Sequence, residues 1–424
     1  MQTNSSIGIT GMGIISSIGD NLTSFSASLK QGTSGIKHVN LSSEPKLSVN
    51  IAAKIQDFSF VEKLKNIQNI PEEMFAKAKR LGQRAPFGIQ TSILSALQAW
   101  EQARLFESTT SSEKIGLVIA GQNSTQNYQY DLISQFKENP EYLSPRYALE
   151  FLETNQVGVL SELFDIEGEG FVVGGASATG NVGIIKGHQL IQLGIVDVCL
   201  VVGVVADLSP IDIQGFINIG AMGGKKYSNQ PEKACRPFDE NHEGFIYGQA
   251  SVSIILESET SATKRAVSSL ANIKGYAFIL DKNSSANPNM NGEVKAMLLA
   301  LERAGVEASN INYINTHGSS SPLGDKTEAE AIHKVFESHA SNIFLNSTKV
   351  LTGHCLYSAG LVEVVATVVQ MREGFLHPNI NLETPIRNDL QFCGTKTINF
   401  QATIAMSNSF GFGGINTSIV LEKN

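Results

Sequence analysis

Ten residues at positions 196–205, VDVCLVVGVV, are apolar almost without interruption. A strand with one wet face alternates polar and apolar residues, so this run reads as a strand covered on both sides. Shorter β-rich runs at 7–10, 115–120, 171–173 and 252–257 extend the theme. It continues at 273–280, 313–315 and 343–345, and in two last strands near Ile404 and Ile419. Helical periodicity fills the gaps between them. One helix follows Asp20 as its cap, with Leu22, Phe25 and Leu29 on one face. Others span 74–83 and 87–104, the latter with an apolar stripe of Ile89, Ile93, Leu97 and Trp100. The second half adds helices at 294–304, with Val294, Leu298 and Leu301 inward, and at 326–339 and 360–372. Strands alternating with helices of this length give an α/β fold. The rhythm occurs twice, which divides the chain into halves at 1–258 and 259–424, with an irregular covering segment at 207–248.

Composition narrows the function. The 424 residues are 42% apolar and 17% charged, enough for a large core. A net charge of -8 without blocks of Lys or Arg argues against nucleic acid or an anionic membrane as main partner. Cys199, Cys235, Cys355 and Cys393 are scattered, with no C-x-x-C pair and no metal-ligand spacing to histidine. They read as free thiols in a reducing compartment. The opening MQTNSSIGIT lacks a leader pattern and no apolar stretch reaches membrane-spanning length, so the expectation is a cytoplasmic protein. Gly11-Met12-Gly13 closes the first strand in this reading. It is no dinucleotide fingerprint, because Ser16 stands where the third glycine belongs.

The chemistry concentrates in four strand ends. VVGGASATGNVG at 172–183 is a strand, a small-residue turn and a helix start around one nucleophile, Ser177. Unpaired N–H groups at such a helix start favour developing negative charge, although a serine there can also be only a cap. INTHGSSSPLGD at 314–325 places His317 after a strand, and NSTKVLTGHCLYSAG at 346–360 places Lys349 and His354 before a helix. MSNSFGFGGIN at 406–416 is a glycine-rich turn with Phe410 and Phe412. A lone histidine is usually structural. Two in glycine-flanked strand-end loops, with a nucleophile at an elbow, point to one site at the strand carboxyl ends.

These stretches, with ITGMG at 9–13 and ACRPFDENHEGFIYG at 234–248, resemble the β-ketoacyl-acyl carrier protein synthases, the condensing enzymes of fatty acid and polyketide synthesis. The resemblance implies a thiolase-like five-layer αβαβα fold with duplicated halves, in a homodimer. It puts Ser177 where condensing members carry cysteine, and His317 and His354 at the pair that holds the thioester carbonyl. Lys349 and Glu363 match the supporting pair and Phe412 the gating aromatic. The backbone N–H groups of Ser177 and Phe412 match the acyl oxyanion hole. A serine hydroxyl is a far weaker nucleophile than a thiolate and no dedicated base is evident, so acyl loading should fail. Decarboxylation needs no covalent step, only donors at the thioester oxygen. The chain therefore looks like the serine-variant malonyl-acyl carrier protein decarboxylases of polyketide β-branching, which supply an HMG-CoA-synthase-like partner. No cofactor is implied beyond the carrier's phosphopantetheine arm. Two alternatives stand beside this: a non-catalytic partner subunit that shapes chain length, and an acyltransferase acylated on Ser177. Gly175, Gln249, Ala250, Cys355 and Tyr357 depart from the family pattern, which fits a narrowed acyl pocket and equally fits neutral drift. Lys77, Lys79 and Arg80 form a basic cluster that could dock the carrier.

Overall fold

The computed structural model describes residues 6–42 and 46–424, so the first five residues of the opening MQTNSSIGIT lie outside it. Eleven strands among the described residues join in one sheet. They are β1 (Ile7–Ser16), β2 (Ile115–Ala120), β3 (Gly170–Val173), β4 (Val198–Gly203) and β5 (Ala250–Ser258), then β6 (Ala271–Leu280) and β7 (Tyr313–Asn315). The rest are β8 (Phe344–Asn346), β9 (Gln391–Phe392), β10 (Ile404–Gly411) and β11 (Ile415–Lys423). The order contains a repeat. One half runs β1-β5-β4-β2-β3 and the other β6-β11-β10-β7-β8, with β9 added at the edge. In each, the first two pairings are antiparallel and the last two parallel. Two residue pairs, Gly8–Asn272 and Ile9–Ala271, join the halves through β1 and β6.

Side-chain alternation along the strands sorts the core into layers. Leu117, Ile119, Leu200 and Val202 point outward against Ile93, Leu97 and Trp100 of α1 (Phe87–Gln102). Their neighbours Val118, Ala120 and Val201 point inward. There they meet α2 (Thr179–Gln192), through Ile184, and Val364 and Val365 from a later helix. Ile419 and Leu421 of the second half close the same cluster. The outer face of that half packs Ile314, Met406 and Val420 against α3 (Met290–Ala304) and α4 (Pro322–Phe336). The later helix is α5 (Ala359–Glu373), so the stack is αβαβα, the thiolase-like arrangement. The apolar run at 196–205 is explained: β4 is buried on both faces in the middle of its half-sheet.

Several local expectations change. The first strand does not stop at Gly11-Met12-Gly13 but runs through to Ser16. A Cβ on Gly11 would lie 2.1 Å from the Ala99 carbonyl oxygen, and one on Gly13 would lie 2.1 Å from that of Ser95. Those glycines let α1 lie close on β1 rather than turning the chain. The helix after Asp20 is capped by Asn21, whose side chain accepts from the Ser24 N–H. Leu298 is exposed at 49%, while Met297 is buried beside Val294 and Leu301. The covering segment contains a helix, Pro210–Asn218, with Ser209 and Asp212 forming a capping box. No helix among the described residues is long and apolar enough to cross a membrane.

Candidate active site

The same turn opens the central helix of each half. From β3 the chain passes Gly174 and Gly175, Ala176 takes a left-handed φ of 48°, one 3-10 turn follows and α2 begins. Beyond Gly353, Leu356 takes a φ of 50°, one 3-10 turn follows and α5 begins. A left-handed residue with a side chain costs about 1–3 kcal/mol, so the surrounding packing holds both elbows. Superposing the elbows in sequence sets GASATG at 175–180 over CLYSAG at 355–360, and Ser177 over Tyr357.

Ser177 is half-buried on the wall of a 520 Å³ cavity that also takes in His317, His354, Phe412 and Tyr357. Its carbonyl accepts from the Ser409 hydroxyl at 3.1 Å. Its own hydroxyl has no hydrogen-bond partner among the described residues, so no histidine is positioned as its base.

His317 follows β7 by two residues and is clamped from behind. Its N–H and that of Gly318 donate to the two carboxylate oxygens of Glu328 on α4, at 2.8 and 2.7 Å. Burial raises the Glu328 carboxyl to about 7, while those two N–H donors pull it back down. His354 is held by the covering segment: its N–H donates to the Ile246 carbonyl at 2.7 Å, and its carbonyl accepts from the Gly248 N–H at 3.0 Å. The two imidazoles stand 5.5 Å apart between centroids, at 78°. Phe245 packs edge-on to His354, and Phe410 lies 5.8 Å from His317.

Lys349 and Glu363 sit behind the histidines, both 1% exposed and ion-paired. The Lys349 ammonium also donates to the His317 carbonyl at 2.5 Å and faces His317 Nδ1 at 3.4 Å. Burial, and then the Lys349 charge, hold both imidazoles well below their ordinary pKa; His354 adds to the effect on His317. Both rings are thus neutral near pH 7. Their tautomers follow from their neighbours. The Leu356 N–H donates to His354 Nδ1 at 3.1 Å, and Lys349 can only donate to His317 Nδ1. Each ring therefore carries its proton on Nε2.

Phe412 is 38% exposed, on a turn where Gly413 and Gly414 adopt positive φ of 81° and 72°, and its ring centroid is 6.5 Å from that of Phe216. Of the residues that depart from the family pattern, Tyr357 lines the cavity; Gly175, Gln249, Ala250 and Cys355 do not. Gln249 instead bonds Tyr247 and Asp207, and the buried Cys355 thiol is pushed up to about 12. That environment leaves Cys355 inert as a substitute nucleophile. In the basic cluster, Arg80 pairs with Glu162 at 2.7 Å and Lys77 is half-buried, leaving Lys79 as its exposed charge, with no ion pair among the described residues. Glu328 was invisible to sequence reasoning, because an acidic residue in a helical stretch reads as a solvated face. No group of three or more metal-ligating side chains is assembled among the described residues.

The β-ketoacyl synthase N-terminal domain matches residues 4–262 and the β-ketoacyl synthase C-terminal domain matches residues 270–383. The chain is 34% identical to the polyketide biosynthesis malonyl-ACP decarboxylase PksF of Bacillus subtilis (strain 168), across 98% of this chain and 96% of that one. It is 30% identical to the 3-oxoacyl-[acyl-carrier-protein] synthase 2 of Coxiella burnetii, over 98% of each. The ishigamide ketosynthase/chain length factor shares the fold over the whole of both chains, with a TM-score of 0.86 at 24% identity.

Proposed function

The chain belongs to the β-ketoacyl synthase family, and from that premise we propose that it decarboxylates malonyl-acyl carrier protein to acetyl-acyl carrier protein without condensing it. The observation that carries this reading is the donor set against Nδ1 of each histidine, Lys349 at His317 and the Leu356 N–H at His354, which fixes their tautomers. With both Nδ1 atoms facing donors, the proton of each ring lies on Nε2, and His317 and His354 line the same cavity. Malonyl decarboxylation moves an electron pair from the breaking C–C bond into the thioester, and the charge gathers on its oxygen. Two fixed N–H donors in a partly closed cavity lower that barrier. Neutral rings suit the task, since protonation at Nδ1 would set a second N–H against the Leu356 amide or the Lys349 ammonium. Apolar walls from Phe245, Phe410 and Phe412 favour loss of charge from the carboxylate as it leaves as CO2.

Ser177 separates decarboxylation from condensation. Primer loading needs a nucleophile that a neighbouring base can deprotonate, and its hydroxyl has no such neighbour. The malonyl-ACP decarboxylase named above supports the same assignment at 34% identity. In this reading the substrate arrives on a carrier protein's phosphopantetheine arm, and the acetyl product serves an HMG-CoA-synthase-like enzyme. The protein supplied with malonyl-carrier protein and a primer acyl-carrier protein should yield acetyl-carrier protein and no β-ketoacyl product. A β-ketoacyl product would assign it to the condensing enzymes instead.

A further inference from the structure

Decarboxylation leaves a carbanion equivalent that needs a proton, and none of the groups described so far supplies one. His317 and His354 keep their Nε2 protons as hydrogen-bond donors, and Ser177 has no base to replenish its own. We infer that Glu293 is the acid that protonates the enolate carbon. This rests on the decarboxylase reading and adds its missing proton donor.

Glu293 lies in the first turn of α3 and is among the residues that line the cavity holding Ser177, His317 and His354. The residue is 1% exposed, and its Oε2 is fully buried with no hydrogen-bond partner among the described residues. A buried carboxylate without a partner is costly; a carboxylic acid in the same place is far less so. The groups facing it from the packed elements are all acidic: Glu328 and Asp325 on α4, and Asp281 just beyond β6. With burial, they hold the proton on Glu293 well above the ordinary carboxyl range. The neighbouring polar residue from β11, Asn416, bonds Asp281 and does not neutralise the cluster. A cavity carboxyl kept protonated by its surroundings is a general acid in waiting.

The balance is simple. The malonyl carboxylate leaves as CO2, and its bonding pair forms the enolate. The enolate carbon takes the Glu293 proton, giving the acetyl thioester and a Glu293 carboxylate, which water from the open mouth of the cavity reprotonates. One proton is consumed per turnover.

The test compares the wild type, E293Q and E293D on malonyl-carrier protein across a pH series, with products read by mass spectrometry. E293Q keeps the shape and removes the proton. The expected result is a kcat lower by about 100-fold with little change in KM. E293D, which retains an acid, should recover part of the rate. The wild-type rate should fall as pH rises and Glu293 ionises, and this limb should be missing from E293Q. E293Q turning over at the wild-type rate with the wild-type profile overturns the proposal. So does a wild-type profile that stays flat into alkaline pH, which needs no variant to fold. A wild type that leaves malonyl-carrier protein unchanged is a different failure and removes the decarboxylase reading along with this one.

Discussion

A single backbone amide decides what His354 can do. The Leu356 N–H fills Nδ1, so the imidazole is a donor at Nε2, and Lys349 imposes the same tautomer on His317 from the opposite side. In protein selectively labelled with 15N-histidine, both rings should show Nε2-protonated tautomers. Their signals should stay unchanged from about pH 8 to about pH 6, through the range where free imidazole titrates. The sign follows from the depressed affinity. The folded rings resist protonation while the unfolded ones accept it, so their contribution to stability is present above the ordinary imidazole pKa of 6.5 and is lost as pH falls below it. The ion pair behind them has its own energetic signature. Lys349→Met strands the Glu363 carboxyl in the interior and should cost about 3–5 kcal/mol in urea unfolding. Ser177→Cys puts a thiol, a far better acyl acceptor than a hydroxyl, at the elbow. Exposed to a primer acyl-carrier protein, that variant should acquire an acyl adduct detectable by intact mass, whereas the parent should not.

The elements show where sequence patterns mislead. Glycine in a strand usually signals a turn, yet Gly11 and Gly13 sit mid-strand because a helix backbone passes within reach of where their Cβ atoms would be. Gly180 and Gly360 do the same between α2 and α5: a Cβ on Gly180 would meet the Leu361 nitrogen at 2.5 Å, and one on Gly360 would meet Asn181 Oδ1 at 2.7 Å. Both contacts are against the opposing helix. Gly180→Ala should therefore destabilise by about 1–3 kcal/mol, seen as a lower Tm. The periodicity of the 294–304 helix was legible, but not its rotation, and Met297 rather than Leu298 points inward. Strand ends were the most readable feature. Glycine and polar residues after a β-rich run locate His317, His354, Phe412 and Ser177 without any knowledge of contacts. Glu328 and Glu293 were not readable, since burial turns an ordinary helical carboxylate into a clamp or an acid, and burial is a tertiary property.

Across the whole molecule, the duplicated strand order puts one elbow from each half on the same cavity. The first half contributes Ser177 and the second half the histidines. The strand–helix rhythm hinted at that repeat in the sequence, but the GASATG and CLYSAG turns share only their last glycine, so the strand order was needed to establish it. In the stretch between β2 and β3, Phe136 is exposed at 55%, Tyr142 at 73% and Leu149 at 66%. The central claim is that paired histidine donors drive a decarboxylation in which Ser177 takes no covalent part. Its most direct test is mass spectrometry of malonyl-carrier protein incubated with the wild type and, separately, with His317→Ala. The account predicts acetyl-carrier protein from the wild type, a rate at least about 100-fold lower from the variant, and no acyl adduct on Ser177. Equal rates from the two proteins, or an acyl-Ser177 adduct formed during turnover, would contradict it.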